Sequence, residues 1–132
     1  MNLKQVSLFA AAFGVVTALP LHAIAQVTQD SIGKMKFSGT STPQGSAPWK
    51  VEINFETGDA TWSKTDGASA KRILSSYTVA GNKLSLKLQA VSPVGIPDLI
   101  CDGTISGKLV DAQCLANAGG PPEKIVGSLA GK

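Results

Sequence analysis

The sequence contains few of the imidazole and thiol side chains that most often act in acid–base and nucleophilic catalysis. There is a single histidine, His22, and there are two cysteines, Cys101 and Cys114. Ser-His-Asp and Cys-His mechanisms both need an imidazole as the base, and His22 lies in a segment that we predict to be removed from the mature protein. We therefore predict no catalytic residue and assign the two cysteines to a disulfide.

Carboxylate pairs are the remaining candidates for acid–base or metal chemistry. The predicted strand register places Asp102 and Asp111 on one outer face, and Glu56 lies near Asp59 at a turn. Aspartate is common at turns, and a Ca²⁺ site needs six or more oxygen ligands. We interpret these four residues as solvated surface or turn residues, and the sequence predicts neither a metal nor a cofactor.

The first 25 residues have the three parts of an export signal. Lys4 provides the positive charge, residues 6–19 form an apolar run before Pro20, and residues 23–25 read Ala-Ile-Ala, a small-residue cleavage pattern. Cleavage at this pattern would start the mature chain at Gln26. The sequence therefore predicts a periplasmic or secreted protein. No later apolar run reaches the roughly 20 residues of a membrane-spanning helix, so we predict that the protein does not span a membrane.

The charges of the chain give no indication of a nucleic-acid partner. The formal net charge is +3, Lys4 contributes one of these charges, and the signs alternate along the sequence. Nucleic-acid-binding surfaces instead cluster Lys and Arg on one face. Lys71 and Arg72 form the one adjacent basic pair, and we predict that both are solvated at a loop edge, as candidate contacts for an anionic partner.

Apolar residues recur with a period of two after the leader, which is the pattern of strands with one buried and one solvated face. Eight strands are predicted, at residues 34–39, 49–55, 60–65, 72–80, 83–90, 99–106, 109–116 and 124–130. The pattern favours one all-β domain over residues 34–132, preceded by a lead-in at residues 26–33, and no amphipathic helix.

Short turns fix the predicted register, because paired strands must place their apolar residues on the same side of a sheet. A turn at Gly107-Lys108 puts Cys101 opposite Cys114 at a non-hydrogen-bonded position, where Cα atoms lie about 4.5 Å apart. That separation permits a disulfide, and export favours its formation. The other predicted pairs are Val79–Leu84, Tyr77–Leu86, Ser75–Leu88 and Ile73–Ala90 around Gly81-Asn82, and Phe55–Ala60 and Ile53–Trp62 around Thr57-Gly58.

The connections between the predicted strands alternate between short turns and long loops. In an up-and-down meander the short turns all fall at one end, and the loops at residues 40–48, 66–71, 91–98 and 117–123 fall at the other. The sequence predicts that the meander closes into a small barrel with a looped rim. Two packed sheets are the alternative.

Three functional hypotheses follow from this architecture. The leading one is a non-enzymatic binding or interaction protein whose rim contacts a protein or cell-envelope component, with Lys71, Arg72, Val94 and Ile96 as candidate contacts. The apolar Val94 and Ile96 serve either this contact or a plug of the barrel end. The second hypothesis is a carrier of a small apolar ligand, lined by Trp49, Trp62 and Tyr77. The third is a hydrolase that works without histidine.

Overall fold

The computed structural model of the chain describes residues 26–43 and 45–131. Its strands are β1 Met35–Pro43, β2 Trp49–Asn54, β3 Asp59–Ser63, β4 Ser69–Ala80, β5 Lys83–Ser92, β6 Leu99–Ser106, β7 Leu109–Ala116 and β8 Glu123–Gly131. The predicted meander of eight antiparallel strands is confirmed. The predicted leader, with Lys4 and His22, lies outside the described residues.

The strands close into a barrel because the first and the last pair with each other. β1 runs antiparallel to β8 from Met35 opposite Gly131 to Pro43 opposite Glu123, and the other neighbours in the barrel are consecutive in the sequence. The predicted barrel is confirmed over the two-sheet alternative. Apolar side chains from all eight strands fill the interior, as expected for a barrel just wide enough for its own side chains.

The β6–β7 hairpin has the predicted register. Gly107 adopts a φ of 64° in the two-residue turn, a conformation that glycine reaches without a steric penalty. Cys101 lies opposite Cys114, and the two form a disulfide with their Cα atoms 4.0 Å apart. Because both cysteines are buried, the bridge joins the two strands from inside the barrel.

The predicted register of the β2–β3 hairpin is wrong by two residues. Ile53 pairs with Ala60, whereas Trp62 pairs with Val51. The side chain of Asn54 explains the difference, since its Oδ1 accepts hydrogen bonds from the N–H groups of residues 56 and 57, at 2.9 and 3.1 Å. This Asx-type arrangement makes residues 55–58 a longer turn than the predicted pair. The shift is even, so each side chain keeps its predicted face.

A one-turn helix that the sequence analysis did not predict, α1 Gln29–Ile32, precedes the barrel. Thr28 and Ser31 cap its start reciprocally. The Ser31 N–H donates to Thr28 Oγ1 at 3.1 Å, and the Thr28 N–H donates to Ser31 Oγ at 2.8 Å. These two bonds satisfy backbone donors that a helix start otherwise leaves free.

The helix α1 seals one end of the barrel. Ile32 and the preceding Val27 are buried in the same core as the strand residues. The side chain of Gln29 fastens the helix to β4, because its Nε2 donates to Tyr77 O at 3.2 Å and its Oε1 accepts from the Val79 N–H at 2.6 Å. The lead-in at residues 26–33 therefore packs on the barrel and contributes Val27 and Ile32 to the core.

Hydrogen bonds between the three short turns and neighbouring strands hold the same end of the barrel together. Each turn carbonyl accepts a hydrogen bond from the strand that follows its hairpin. The pairs are Leu74 N–H to Gly58 O, Ile105 N–H to Asn82 O and Leu129 N–H to Lys108 O, each 2.8 Å long. We call this end, formed by α1 and the turns at residues 55–58, 81–82 and 107–108, the closed end.

The interior next to the closed end is tightly packed. It encloses an apolar void of about 10 Å³ between Phe37, Leu86 and Ile125, which is about the smallest space that holds one water molecule. The opposite end of the barrel carries the described connections 45–48, 64–68, 93–98 and 117–122. We call these four connections the rim.

Candidate functional site

The least expected feature of the barrel is a buried arginine at its rim-side opening. Arg72 is only 7% exposed. Its guanidinium stacks on the indole of Trp62, with Cζ 4.6 Å from the ring centroid, and its Nε donates to the Pro97 carbonyl at 3.1 Å. Burial lowers the pKa of Arg72 from its ordinary value, and the negative charges of Glu123 and Asp98 partly oppose that shift.

An irregularity in β4 turns Arg72 inward. The β4–β5 register shifts between Leu74 and Ser76 and again between Lys71 and Arg72, and such bulges re-aim side chains. Leu74 pairs with Leu88 and Arg72 with Ala90, where the sequence analysis expected Ser75 and Ile73. Those two predicted pairs are wrong, and so is the prediction that Arg72 is solvated. Ile73, which was predicted to face inward, is 48% exposed.

The opposite wall of this opening carries a hydroxyl and a carboxylate. Ser41 is fully buried, and its hydroxyl donates a hydrogen bond to the carboxylate of Glu123. The negative charge of Glu123 acts to raise the pKa of Arg72, against the larger effect of burial. Among the described residues the two side chains form no direct ion pair. We call the inward-facing set Ser41, Trp62, Arg72 and Glu123 the barrel mouth.

The connection 93–98 lies across one side of the mouth. Pro97 accepts the hydrogen bond from Arg72, and Asp98 Oδ1 accepts another from the Ala90 N–H at 2.7 Å. The Asp98 N–H donates to Asn117 Oδ1 at 3.2 Å, which ties this connection to the next one. Hydrogen bonds to β4, to β5 and to the connection 117–122 therefore hold this side of the mouth in place.

The structure separates the two apolar candidates on this connection. Ile96 packs against the core cluster, which is the position of a plug. Val94 is fully exposed, so it does not plug the barrel. The sequence predicted either a plug or a contact for both residues; the structure rules out a plug for Val94, and a contact role for it stays a prediction.

The basic pair is separated as well. Lys71 is exposed on the outer surface opposite Thr61 and Ser92, whereas Arg72 lies inside the mouth. Two consecutive residues of a strand point to opposite faces, so the pair does not act as one basic patch.

The structure does not bring the three candidate ligand-lining aromatic residues together. Trp62 lies in the mouth, and Trp49 is half-buried beside the rim with Lys64 Nζ 4.7 Å from its ring centroid. Tyr77 lies towards the closed end, where it meets Phe55 edge-on at a centroid distance of 5.2 Å. A single site can therefore combine Trp49 and Trp62 but not Tyr77.

An open groove runs along the outside of the rim between the β1 and β8 ends. Its volume is about 590 Å³, and its lining mixes polar and apolar surface, with the apolar part somewhat larger. The lining residues are Thr42, Pro43, Gly45, Ser46, Gln113, Pro122, Glu123 and Lys124. Glu123 belongs both to this groove and to the mouth, so the two features are adjacent.

The carboxylates considered for acid–base chemistry lie in surface contacts. Asp102 accepts a hydrogen bond from Ser85 Oγ at 2.7 Å, and Asp59 accepts one from Thr57 Oγ1 at 3.1 Å. Asp111 lies 3.5 Å from Lys124 Nζ. Over residues 26–43 and 45–131, no three His, Cys, Asp or Glu side chains group in a way that could hold a metal ion.

Two residues of the mouth were missed in the sequence analysis. Ser41 follows Phe37 and Gly39 at inward positions of β1, so its sequence signal is a polar residue in the buried phase of a strand. The predicted strand ended at residue 39, whereas β1 continues to Pro43. Glu123 was likewise excluded, because the predicted last strand began one residue later.

None of the helices in the described part of the chain is long and apolar enough to cross a membrane. Comparison of the chain with protein-family models, curated proteins and solved structures finds no match in any of the three.

Proposed function

We propose that this chain is an exported, non-enzymatic binding protein that uses the rim to contact a protein or a cell-envelope component. The observation that carries the proposal is the difference between the two ends of the barrel. One end is sealed by α1 and three turns, and the enclosed void holds about 10 Å³. The other end presents a fully exposed valine, a polar mouth and a groove of about 590 Å³. That groove is larger than the groove of about 410 Å³ beside the 107–108 turn, where Leu109 is exposed.

The chemistry of the rim supports a binding role. Val94 is fully exposed, and solvation alone does not favour an apolar side chain there. A single exposed apolar residue is ordinary on a protein surface, but Val94 lies on a connection held in place by Arg72 and Asp98. A fixed, partly apolar surface beside a groove is a suitable shape for a partner.

Export is supported by two features. The sequence carries the leader pattern described above, and the disulfide between Cys101 and Cys114 is of the kind that persists in oxidising compartments.

A pair of single substitutions tests the rim. The tagged mature protein captures partners from a cell-envelope extract of its source, and the amount of each is measured by mass spectrometry. Val94→Ser should leave the melting temperature nearly unchanged, because exposed substitutions alter stability by about 0.5 kcal/mol or less, while the main captured partner falls several-fold. Lys108→Ser, which changes an exposed side chain at the closed end, is the matched control and should capture as the wild type does.

Equal capture by Val94→Ser and the wild type would contradict the proposal, as would loss of capture in Lys108→Ser alone. Ile96→Ser should behave differently from Val94→Ser. Because Ile96 packs on the core, its replacement should lower the melting temperature.

A further inference from the structure

The barrel mouth contains a hydrogen-bond donor that the described residues leave unused. Trp62 is 2% exposed, and its indole Nε1 is buried with no acceptor. Buried polar groups nearly always have a partner, and leaving one unpaired costs roughly 1 to 3 kcal/mol. Among the described residues, it is the one fully buried side-chain nitrogen or oxygen atom without a partner, and it needs a physical explanation.

The residue stacked on this indole has unused donors as well. A guanidinium carries five N–H groups, and Arg72 donates one of them, at Nε, to Pro97 O. The two terminal amino groups of Arg72 make no hydrogen bond within residues 26–43 and 45–131. Since the guanidinium lies 4.6 Å from the Trp62 ring centroid, the unused donors of the two side chains belong to one small region.

An acceptor for a ligand's own donor lies across the mouth. The Glu123 carboxylate has two oxygens, and the hydroxyl of Ser41 donates to Oε2. A carboxylate oxygen can accept more than one hydrogen bond, so Glu123 retains capacity at Oε1. The mouth thus presents donors on the β3–β4 wall and an acceptor on the β8 wall.

The charges around the mouth favour a neutral ligand. Glu123 and Asp98 already act on the single charge of Arg72, so an added carboxylate would meet two negative charges and a cation that they already attract. An added ammonium group would in turn meet Arg72. A group that accepts and donates hydrogen bonds without net charge avoids both conflicts.

We propose that the barrel mouth binds an uncharged amide of the rim's partner, as in an extended peptide segment, with Trp62 Nε1 and Arg72 donating to the carbonyl and Glu123 accepting from the N–H. This inference rests on the proposed binding function of the rim and adds the chemistry of its ligand. Trp62 and Arg72 are the specificity-determining donors, and Ser41 positions the Glu123 carboxylate.

An amide suits this site better than a sugar ring. Sugars are commonly held by stacking on an open aromatic face, but each indole near the mouth already carries a cation. Lys64 lies over Trp49 and Arg72 over Trp62, at 4.7 and 4.6 Å from the ring centroids. The group without a partner is the Trp62 Nε1–H, which lies in the plane of the ring and requires a hydrogen-bond acceptor and not a stacking partner.

The test uses the indole N–H of Trp62 as a direct reporter. The ¹⁵N-labelled mature protein has two indole resonances, which a Trp49→Phe variant assigns. The probe is N-acetyl-trialanine amide, a short peptide without charge. We expect a saturable downfield shift of the Trp62 indole proton as it gains an acceptor. Arg72→Lys keeps the charge but loses the planar set of donors, so it should weaken the affinity for the probe, read from the saturation of the shift, at least several-fold. Lys71→Gln on the outer surface should leave that affinity unchanged.

Three results would overturn the amide site. They are an unchanged Trp62 resonance up to the solubility limit of the probe, an equal response to cellobiose, a sugar without an amide, and tighter binding of N-acetyl-trialanine with a free carboxylate. If Arg72→Lys unfolds, Glu123→Gln provides the second variant and should also weaken the shift. Failure here is distinguishable from failure of the rim proposal, because capture that depends on Val94 can persist while Trp62 does not respond.

Discussion

The guanidinium of Arg72 lies 4.6 Å from the ring centroid of Trp62, inside the barrel and almost shielded from solvent. The two residues belong to adjacent antiparallel strands, in which Trp62 pairs with Ala70 and Arg72 with Ala60. The arginine also fixes the connection 93–98 through the Pro97 carbonyl. This pair therefore links the barrel wall to the rim.

Replacing Arg72 by alanine should destabilise the protein. The variant loses the stacking contact, the hydrogen bond to Pro97 and the packing of the long aliphatic stem. We expect a decrease of about 1 to 3 kcal/mol in the free energy of unfolding, measured by chemical denaturation. Lys71→Ala is the matched control, since its side chain is exposed. Equal effects of the two substitutions would show that Arg72 is not a structural part of the mouth.

The position of Arg72 also shows which inward-facing residues the sequence predicts correctly and which it does not. A period of two determines which residues face inward only while the pairing stays regular. This condition holds along β6 and β7, where a two-residue turn and the cysteine pair fix the register. The bulge near Ser75 breaks it in β4, and one extra residue exchanges the faces of Ile73 and Arg72.

The other differences have local causes that a periodicity analysis does not detect. Asn54 lengthens the β2–β3 turn through its side chain. The helix α1 is a single turn, too short for a hydrophobic period, and its only sequence signal is the capping pair Thr28 and Ser31. The barrel mouth required tertiary information, because Ser41, Trp62 and Glu123 come from three different strands.

Removing the disulfide should lower stability without unfolding the protein. The bridge closes a loop with a sequence separation of 13, for which chain-entropy arguments give a contribution of about 3 kcal/mol. The double variant Cys101→Ala, Cys114→Ala should melt several degrees lower in a calorimetric scan, with its β-sheet circular dichroism retained at low temperature. Free thiols in the wild-type protein taken from its native compartment would contradict the structural assignment.

Glycine is required where β1 and β8 pair across the barrel closure. Gly39 lies opposite Gly127, and a Cβ atom added at Gly39 would lie 2.7 Å from Phe37 Cζ. Such overpacking typically costs about 1 to 3 kcal/mol, so Gly39→Ala should lower the free energy of unfolding by that order. Gly131→Ala is the control, because an added Cβ there meets no atom within 4 Å. Comparable stability of the two variants would show that the closure tolerates side chains.

The exported protein should begin at Gln26. Val27 is buried in the core, so cleavage after Ala25 leaves the seal of the closed end intact, whereas cleavage beyond residue 27 would remove part of it. The intact mass of protein recovered from the periplasm or the medium should correspond to residues 26–132 with one disulfide. A mass equal to that of the full chain, or a start beyond Val27, would contradict this prediction.

Site-specific photocrosslinking in the source cells distinguishes binding of partners at the rim from binding at the closed end. A photoreactive residue is placed at Ser46 or Val94 on the rim, or at Asn82 or Lys108 on the closed end, all of which are exposed. We expect a discrete crosslinked adduct from the rim positions and none from the closed-end positions. Adducts from the closed end alone, or no adduct from either rim position, would contradict binding at the rim.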